Sequence, residues 1–488
     1  MNRLRVTLSP VVIVTFIFSI FLLVGSIDAF AKSPFSEKES EAGIWEENAQ
    51  IGSQADGTAI LAPLGSRAPR IAQSNQYLAM VYQLDGTIRL RSTVKSGTGA
   101  WIALPPIVGT GAAPSLVFSS NTIVHVVWSS SNNLQILYTS CTLTATSASC
   151  NSPSVIQSGN QKVEAPDITI LSNTLYVAWI NSGAGQVRVA RKPVSGGSWQ
   201  LNTTTLNANN SDSGTLTLAA DSGKIHLAYM YNGKLNIRYY RSTNGDTWSN
   251  SHIFGTDTSY IEVGNPSIEA DGNNVYLAWD SLYTSVNGDD NLRPYALMGT
   301  LSKDGGVNWD GDPRYITSTN NFGSVDPDDR RRSRNLSGSN PTEEAGLRPS
   351  VALNHQNDFA IVWQERPDGS CAESQGGSIV SNGTSELFLA SKADPDLTPS
   401  SANWWKSVST VETPSINLYS IDPDMVIDSA GDEHVVYMRS SADPGATNCR
   451  AGGDLNPNTP HTYRVYYRGP YFTVIEPDKI LIPIIVRN

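Results

Sequence analysis

The sequence repeats one short pattern seven times, and this repeat restricts the fold more than any other feature. Each unit opens with a short strand pattern that usually begins with X-Pro. An apolar stretch ending in an aromatic residue follows, and a third strand pattern comes after a polar loop. The first five units begin about 45 to 52 residues apart, the spacing of one small antiparallel sheet with its loops. The units begin at Ala68, Ala113, Ala165, Thr215, Asn265, Arg348 and Asp422.

The alternation of apolar and polar residues within the units is typical of β-strands. The first strand Thr215–Leu218 alternates in this way, and the second strands Ile123–Trp128 and Val275–Trp279 are almost continuously apolar and end in an aromatic residue. A Gly-rich turn and usually a Trp then lead into a fourth strand. Four strands in each of seven units predict an all-β fold, a seven-bladed β-propeller of four-stranded antiparallel blades. A six-bladed propeller with one unit reassigned is the alternative.

The ends of the repeat predict how the ring closes. The seventh unit has three clear strands but no Trp turn, whereas Ile44–Ile51, or Ala59–Ala62 after it, precedes the first unit. We therefore expect an N-terminal outer strand to complete the last blade and to remove its open edge. The predicted propeller spans 44–475, after a flexible lead-in at 32–43. The apolar C-terminal tail 476–488 fits no blade position and is interpreted as a packed strand or a surface-attachment tail.

Residues 1–31 have the three parts of a secretory signal peptide. Arg3 and Arg5 form a basic region, Val11–Ile27 is apolar, and the stretch that ends at Ala31 suits signal peptidase. The apolar run is long for a signal, so an uncleaved N-terminal anchor is the alternative and the one predicted contact with a membrane. The sequence thus predicts a secreted, extracellular or cell-surface protein.

Charge and cysteine content narrow the class of partner. The net charge is −11 and only 16% of residues are charged, which argues against nucleic acid as a partner. The four cysteines of an exported chain predict disulfides. The sequence has no C-x-x-C spacing, which argues against a zinc site. Cys141 and Cys150 flank a short polar loop and are expected to pair, which leaves Cys371 to pair with Cys449.

One turn carries a more specific signal. Ser302, Asp304, Gly306, Asn308 and Trp309 fit the pattern Ser-x-Asp-x-Gly-x-(Thr/Asn)-Trp. The aspartate can accept hydrogen bonds from its own backbone, the glycine permits a positive φ, and the tryptophan can pack in apolar surroundings. Partial copies end at Trp101, Trp199 and Trp248. The turn resembles the Asp-box, or bacterial neuraminidase repeat, of the sialidase-like β-propeller superfamily.

This resemblance implies that the functional site lies on the face opposite the Asp-box turns. The loops between strands two and three and the loops between blades meet there. It also implies a cluster of arginines that binds the carboxylate of an anionic sugar. Units 6, 7 and 1 become neighbours when the ring closes. The candidates on this face are Arg70, Arg348, Arg366 and Arg439, with Asp280 as a further ligand-binding carboxylate.

A sialidase-like mechanism would also need a carboxylic acid, a Tyr nucleophile and a Glu that activates the Tyr. Asp85 is the candidate acid and Glu365 the candidate activating residue. Tyr82, Tyr229 and Tyr437 occupy the second-strand position that holds Trp in other units, which indicates packing. No Tyr is identified as the nucleophile.

Two hypotheses for function follow. The first is an exported, monomeric, non-catalytic propeller that binds glycans or cell-surface proteins. The alternative is an exo-sialidase-like glycoside hydrolase that acts on terminal anionic sugars. No cofactor is predicted. The oxygen-rich loops 287–291 and 326–329 could hold Ca²⁺, but neither matches a defined calcium loop.

Overall fold

A computed structural model describes 59–60, 67–95, 101–102, 106–202, 205–208, 215–231, 236–255, 260–283, 295–309, 314–315, 345–353, 359–366, 386–392, 407–410, 419–440 and 464–469. All of these belong to the compact unit Glu47–Asn488. The predicted signal peptide, lead-in and C-terminal tail lie outside the described residues. So do Cys371, Cys449 and both candidate calcium loops.

The described strands form seven antiparallel sheets, each with four strands in one hydrogen-bonded order. Blade 1 contains β2 (Arg67–Gln73), β3 (Tyr77–Leu84), β4 (Thr87–Val94) and β5 (Ile107–Thr110). Blade 2 contains β6 (Ala112–Phe118), β7 (Ile123–Ser129), β8 (Gln135–Leu143), β9 (Ala148–Cys150) and β10 (Ser154–Ser158). Blade 3 contains β11 (Val163–Leu171), β12 (Thr174–Asn181), a 3₁₀ turn (Ser182–Ala184), β13 (Gln186–Pro193), β14 (Gln200–Leu201) and β15 (Leu206–Asn207).

The other four blades follow the same order. Blade 4 contains β16 (Leu216–Asp221), β17 (Lys224–Tyr231), β18 (Asn236–Ser242) and β19 (Ser249–Phe254). Blade 5 contains β20 (Tyr260–Asp271), β21 (Asn274–Tyr283), β22 (Tyr295–Ser302) and β23 (Arg314–Tyr315). Blade 6 contains β24 (Ala345–Leu353), β25 (Phe359–Arg366), β26 (Glu386–Lys392) and β27 (Ser407–Thr410). Blade 7 contains β28 (Tyr419–Ile427), β29 (Glu433–Ser440), β30 (Arg464–Arg468) and β1 (Ala59–Ile60).

The N-terminal outer strand predicted for the last blade is present. β1 pairs with β30, with Ala59 opposite Tyr467 and Ile60 opposite Tyr466. The second of the two candidate segments therefore completes the sheet, while 44–51 lies outside the described residues.

The first strands of the sheets form a closed ring. Each of them contacts the first strand on either side, and together they line one central channel with a volume of about 570 Å³. The predicted all-β propeller of four-stranded antiparallel blades is confirmed, and its ring contains seven first strands. A six-bladed arrangement would leave one of these sheets unassigned.

The second-strand aromatics form the centre of the packing between blades. Trp128 packs against Val81 and Ile88 of blade 1, and Trp279 packs against Phe254 of blade 4. The side chains of Tyr82, Tyr229 and Tyr437 are fully buried, as expected for packing residues. The largest fully buried side chains among the described residues are these three tyrosines, a few other strand tyrosines, and Trp128, Trp179, Trp279 and Trp363.

The X-Pro that opens six of the units produces a β-bulge. In β2, β6, β11, β20, β24 and β28 the register with the second strand shifts at this point. Proline has no N–H for the ladder, so a bulge accommodates it. The residue before proline has a positive φ at Ala68, Ala113, Ala165, Asn265 and Asp422. In blade 4, where the unit has Leu216 instead of proline, the register is continuous.

One of the two predicted disulfides lies in the described residues. Cys141 and Cys150 are bonded and join β8 to β9, as predicted. Within the described part of the chain, no helix has the length and hydropathy needed to cross a membrane.

Candidate functional site

The first strand of every blade has a polar residue directly after the proline, or after Leu216 in blade 4, which has no proline there. Its side chains line the central channel at one level. The position is occupied by Arg70, Ser115, Asp167, Thr217, Ser267, Ser350 and Asp424.

The acidic members of this ring bridge neighbouring blades. Asp167 Oδ2 accepts a hydrogen bond from the backbone N–H of Leu218 in blade 4 at 2.7 Å, and its Oδ1 accepts one from Ser115 in blade 2 at 2.6 Å. Asp424 accepts from the N–H of Ile71 in blade 1 at 2.8 Å and from Ser350 in blade 6 at 3.0 Å. These carboxylates therefore hold the ring together as well as giving the channel its charge.

We call the side chains at these seven positions the belt. Its serine hydroxyls also join neighbouring blades. Ser267 accepts a hydrogen bond from the N–H of Val351 at 3.0 Å, and Ser350 accepts one from the N–H of Met425 at 3.1 Å. The bulge leaves the first strands with N–H groups that face the neighbouring blade, and the belt satisfies them.

Arg70 is the cation of the belt. Its Nη1 donates to the carbonyl of Pro69 at 2.7 Å and lies 3.7 Å from Oδ1 of Asp422. The Arg70 side chain is 38% exposed and that of Asp422 is 17% exposed. Burial disfavours the charged guanidinium, but the carboxylates of Asp422, Asp424 and Asp167 outweigh this effect and raise the pKa of Arg70.

The channel interior favours protonated carboxyl groups. Burial raises the pKa of Glu269 to about 8, and the negative charges of Asp167 and Asp424 add to the rise. Burial also raises the pKa of Asp167 and of Asp424, although both accept hydrogen bonds and lie near Arg70. Four carboxyl groups and one guanidinium among the described residues therefore make the channel an acidic environment.

The mouth of the channel is asymmetric. Two residues before the polar position, blades 1, 2 and 3 have the small residues Ala68, Ala113 and Ala165, whereas blades 4, 5 and 7 have Thr215, Asn265 and Asp422. Space is therefore available on one side of the mouth, next to the Arg70–Asp422 pair, and polar groups lie on the other side.

This mouth is on the face predicted to carry the site. Asp85 and Gly86 form the two-residue turn from strand two to strand three of blade 1, both with positive φ. The N–H of Gly111, in the loop between blades 1 and 2, donates to the carbonyl of Gly86 at 2.8 Å. The two loop types thus meet at one end of the strands, with Asp85 exposed among them.

The structure brings together the strands of the predicted arginine cluster. β24, β28 and β2 of blades 6, 7 and 1 are neighbours in the ring. Arg348 lies in β24 before the bulge, and Glu365 and Arg366 end β25 opposite Gly346 and Ala345. Only the backbone of these three residues is described.

Two predicted ligand residues are buried in the fold, which does not fit the predicted contacts. Arg439 is 9% exposed, and its guanidinium carbon lies 5.3 Å from the ring centre of Tyr466 on the adjacent strand. Asp280 is 0% exposed, and its Oδ2 accepts a hydrogen bond from the side chain of Asn265 at 2.8 Å. Sequence placed both residues near loops, but pairing with the neighbouring strand encloses their side chains.

The turn Ser302–Trp309 has the predicted geometry. Asp304 Oδ1 accepts hydrogen bonds from the N–H groups of Val307 and Asn308 at 2.9 and 2.8 Å, and Ser302 accepts from the N–H of Gly306 at 2.9 Å. The turn follows strand three at the end opposite the channel mouth just described. Burial slightly opposes ionisation, but these hydrogen bonds hold the pKa of Asp304 at about 2. A structural role for this turn is therefore sufficient to explain its residues.

The channel carboxylates Asp167, Glu269, Asp422 and Asp424 were not among the site residues predicted from the sequence. The sequence contains a signal for Asp167 and Asp424, because the residue after proline is polar in all six Pro-containing units. Asp422 precedes its proline and Glu269 lies further along its strand, so this signal does not identify them. Among the described residues there is no group of three or more His, Cys, Asp or Glu that could hold a metal ion.

No protein-family model and no curated protein matches this chain. Many solved structures are similar to it in fold. One is the β-propeller domain of the Trilobed protease from Pyrococcus furiosus, at 8% identity and a TM-score of 0.41, covering 78% of this chain and 90% of that one.

Two others differ from each other in activity. The sialidase from Trypanosoma rangeli is 9% identical at a TM-score of 0.38, covering 86% of this chain and 56% of that one. The Aleuria aurantia lectin, a six-bladed propeller that recognises fucose, is 13% identical at a TM-score of 0.37, covering 72% of this chain and 99% of that one. The closed ring of this chain's own strands, rather than these distant likenesses, identifies it as a β-propeller.

Proposed function

We propose that the protein is an exported, non-catalytic propeller that binds glycans or glycan-bearing surface proteins at the channel mouth beside Arg70 and Asp422. The observation that carries this proposal is that both arginines predicted to bind a carboxylate, among those with described side chains, already contact other groups of the protein. Arg70 is engaged by Asp422 and the carbonyl of Pro69, and Arg439 is enclosed against Tyr466. A carboxylate ligand would have to displace Asp422 from Arg70 and then face the remaining channel carboxylates.

The chemistry of the mouth suits hydroxyl groups better than anions. A guanidinium beside a carboxylate offers hydrogen-bond donors and acceptors next to each other, which matches adjacent hydroxyls of a sugar. Asp422 at the mouth and Asp167 and Asp424 below it add negative potential that disfavours an anionic ligand, whereas Glu269, with a pKa of about 8, is mostly neutral near pH 7. The small side chains of Ala68, Ala113 and Ala165 leave room for a ring next to this pair.

Export is part of the same proposal. The disulfide between Cys141 and Cys150 is typical of an oxidising compartment, and the predicted signal peptide agrees with it. We expect the mature protein to accumulate outside the cell or at its surface.

Binding to an array of neutral, amino and sialylated glycans tests the proposal. Arg70→Ala is expected to weaken binding of a neutral glycan by about tenfold or more. Arg191→Ala is the matched control, because Arg191 forms a comparable pair with Asp246 at 2.7 Å and lies on the opposite face. Binding that is equally weakened by both variants, or by neither, would contradict the proposed site.

A second assay tests the sialidase-like alternative. Arg70 lies at the mouth that the Asp-box resemblance indicates, and its partial exposure is the observation in favour of this alternative. Release of the fluorophore from a fluorogenic sialoside, abolished by Arg70→Ala and retained in Arg191→Ala, would replace the binding proposal with the hydrolase.

A further inference from the structure

Three interfaces between neighbouring blades, here called seams, share one arrangement of side chains. A histidine in strand two contacts a tyrosine hydroxyl in strand three at 2.7 Å through Nδ1. A tryptophan from the strand three-to-four turn of the next blade packs edge-on against that tyrosine, with ring centres 4.8 to 5.1 Å apart. The sets are His125, Tyr138 and Trp199 between blades 2 and 3, His226, Tyr239 and Trp309 between blades 4 and 5, and His434, Tyr467 and Trp101 between blades 7 and 1.

The seam between blades 7 and 1 also contains a buried ion pair. Lys95 Nζ, just after β4 of blade 1, lies 3.9 Å from Oδ2 of Asp428, just after β28 of blade 7. Their side chains are 9% and 2% exposed. His434 Nε2 lies 3.5 Å from the same carboxylate oxygen. The seam that closes the ring therefore encloses two opposite charges that come from different blades.

The two comparable seams have no such pair at these positions. The place of Asp428 is taken by Ser119 in blade 2, whose hydroxyl contacts His125 Nε2 at 2.7 Å, and by Asp221 in blade 4. The place of Lys95 is taken by Val194 in blade 3 and by Asp304 in blade 5. Lysines also cross the other two seams: Lys192 Nζ lies 4.9 Å from the ring centre of Tyr138, and Lys224 lies against Gly305. The feature that distinguishes the ring-closing seam is therefore the pairing of its lysine with a buried carboxylate at these positions.

The ion pair is connected to the closing strand. Tyr467, which contacts His434, is one of only two β30 residues that pair with β1 among the described residues. Lys95 Nζ also donates to Gln73 Oε1 at 2.9 Å, and Gln73 Nε2 donates to the carbonyl of Ile427. The contacts run without a gap from blade 1 through Asp428 and His434 to the strand that holds the N-terminal segment.

We propose that Lys95 and Asp428 form a latch on the ring-closing seam, and that loss of either charge opens this seam and releases β1 while the other blades stay folded. A buried charge that loses its partner is strongly destabilised, and opening the seam returns it to water. The pair of β1 residues is too short to resist this by itself. Asp432 and His434 are the other titratable groups near the pair. Asp432 acts on Lys95 less strongly than Asp428 does, and His434 contacts the same oxygen of Asp428 as Lys95.

Hydrogen exchange read by mass spectrometry on the full chain tests the latch. Lys95→Met and Asp428→Asn are each expected to speed exchange in β2, β28 and β30 by tenfold to a hundredfold, on the order expected for a broken buried pair. Exchange in β8, β12, β18 and β21 is expected to stay within about twofold of the unchanged protein. Asp221→Asn is the matched control, because it changes the same position in blade 4 and should leave the seam between blades 7 and 1 protected.

The double variant separates a latch from two independent losses. Lys95→Met with Asp428→Asn removes both charges, so its exchange at the closing seam is expected to be slower than in either single variant. If either single variant fails to fold, Lys95→Arg, which keeps the charge, is expected to fold and to retain protection at this seam. Faster exchange throughout the ring, additive effects in the double variant, or loss of protection in Lys95→Arg would each overturn the proposal.

Discussion

Single hydrogen bonds distinguish otherwise equivalent residues of the blades. Trp128 and Trp179 occupy the same second-strand position and are both 0% exposed. Trp128 Nε1 donates to the carbonyl of Thr110 in the preceding blade at 2.9 Å, whereas Trp179 Nε1 has no partner within the described residues. The same buried ring is thus satisfied at one position and not at the other.

Replacing these tryptophans with phenylalanine measures the difference. Trp128→Phe loses packing area and a hydrogen bond and leaves the Thr110 carbonyl without its donor. Trp179→Phe loses area only and removes a buried N–H that has no acceptor. We expect the free energy of unfolding in urea to fall by about 1 kcal/mol more in Trp128→Phe than in Trp179→Phe. Equal losses would show that the indole hydrogen bond contributes nothing.

Three buried histidines make stability depend on pH in the acidic range. Burial lowers the pKa of His125, His226 and His434 to about 4. The unfolded chain takes up these protons below about pH 6.5, and the folded chain only near pH 4, so stability falls as the pH drops through this range. In urea unfolding between about pH 7 and pH 4.5, His226→Gln is expected to show a shallower decline than the unchanged protein. An unchanged slope would contradict this assignment.

Glu269 has the opposite dependence. Its pKa of about 8 in the folded chain is above the ordinary value, so the folded state keeps a proton that the unfolded state loses, and stability falls as the pH rises from about 4.5 to about 8. Glu269→Gln stays neutral. Its stability relative to the unchanged protein is therefore expected to increase with pH over this range. A relative stability that stays constant or falls over this range would contradict this assignment.

At the scale of elements, the strand three-to-four turns act as clamps between blades. The guanidinium of Arg241 in blade 4 donates to the carbonyl of Gly305 in blade 5, and that of Arg191 in blade 3 donates to the carbonyl of Asn244 in blade 4. Trp309 packs on Tyr239 of the preceding blade rather than within its own sheet. The tight turn therefore positions a surface that the neighbouring blade recognises.

Two glycine positions distinguish the cost of a steric clash between blades from the cost of backbone strain alone. Gly306 and Gly272 both have positive φ, +78° and +60°. A methyl group on Gly306 would clash with the hydroxyl of Tyr239 across the seam, whereas one on Gly272 would meet no atom within 4 Å. Gly272→Ala is expected to cost about 1 kcal/mol of stability from the backbone alone, and Gly306→Ala about 2 kcal/mol more from the overpacked seam.

A suppressor checks the cause of that difference. Tyr239→Phe removes the hydroxyl that the added methyl group would meet, so it should recover part of the loss in Gly306→Ala when stability is measured by thermal unfolding. It should recover nothing in Gly272→Ala. Recovery in both, or in neither, would place the strain elsewhere.

At the scale of the whole molecule, closure depends on a very short strand. β1 contributes two residues to blade 7 and covers the edge of β30. A chain that begins at residue 63 lacks this strand, and one that begins at residue 44 keeps it. We expect the shorter chain to show a lower midpoint of thermal unfolding and a concentration-dependent association through the uncovered edge. Equal midpoints and a monomeric shorter chain by light scattering would contradict a role for β1 in closure.

Most of the architecture could be predicted because its signals are local. The X-Pro positions, the aromatics at the ends of second strands and the turn at Ser302–Trp309 each fix a strand boundary within a few residues. The outer strand of blade 7 could be predicted because a ring leaves one sheet incomplete unless a distant segment fills it.

The chemistry of the channel could not be predicted in the same way. Asp167 and Asp424 have their backbone partners at Leu218 and Ile71, which lie 51 and 353 residues away. No local pattern indicates such contacts. The burial of Arg439 likewise depends on Tyr466 in the next strand, beyond a long intervening segment. The sequence therefore indicates which residues lie near loops. It does not indicate whether their side chains are exposed, because exposure depends on which strand pairs beside them.

The pairing of β1 with β30 also constrains the order of folding during synthesis. The segment that contains Ala59 emerges from the ribosome early, and its partner Tyr467 follows more than four hundred residues later. Intermediate blades can pair their own strands as they emerge, since those contacts are local. The last blade cannot, so the nascent chain carries an incomplete sheet until its final strand is made, and it depends on that interval being short or protected from aggregation.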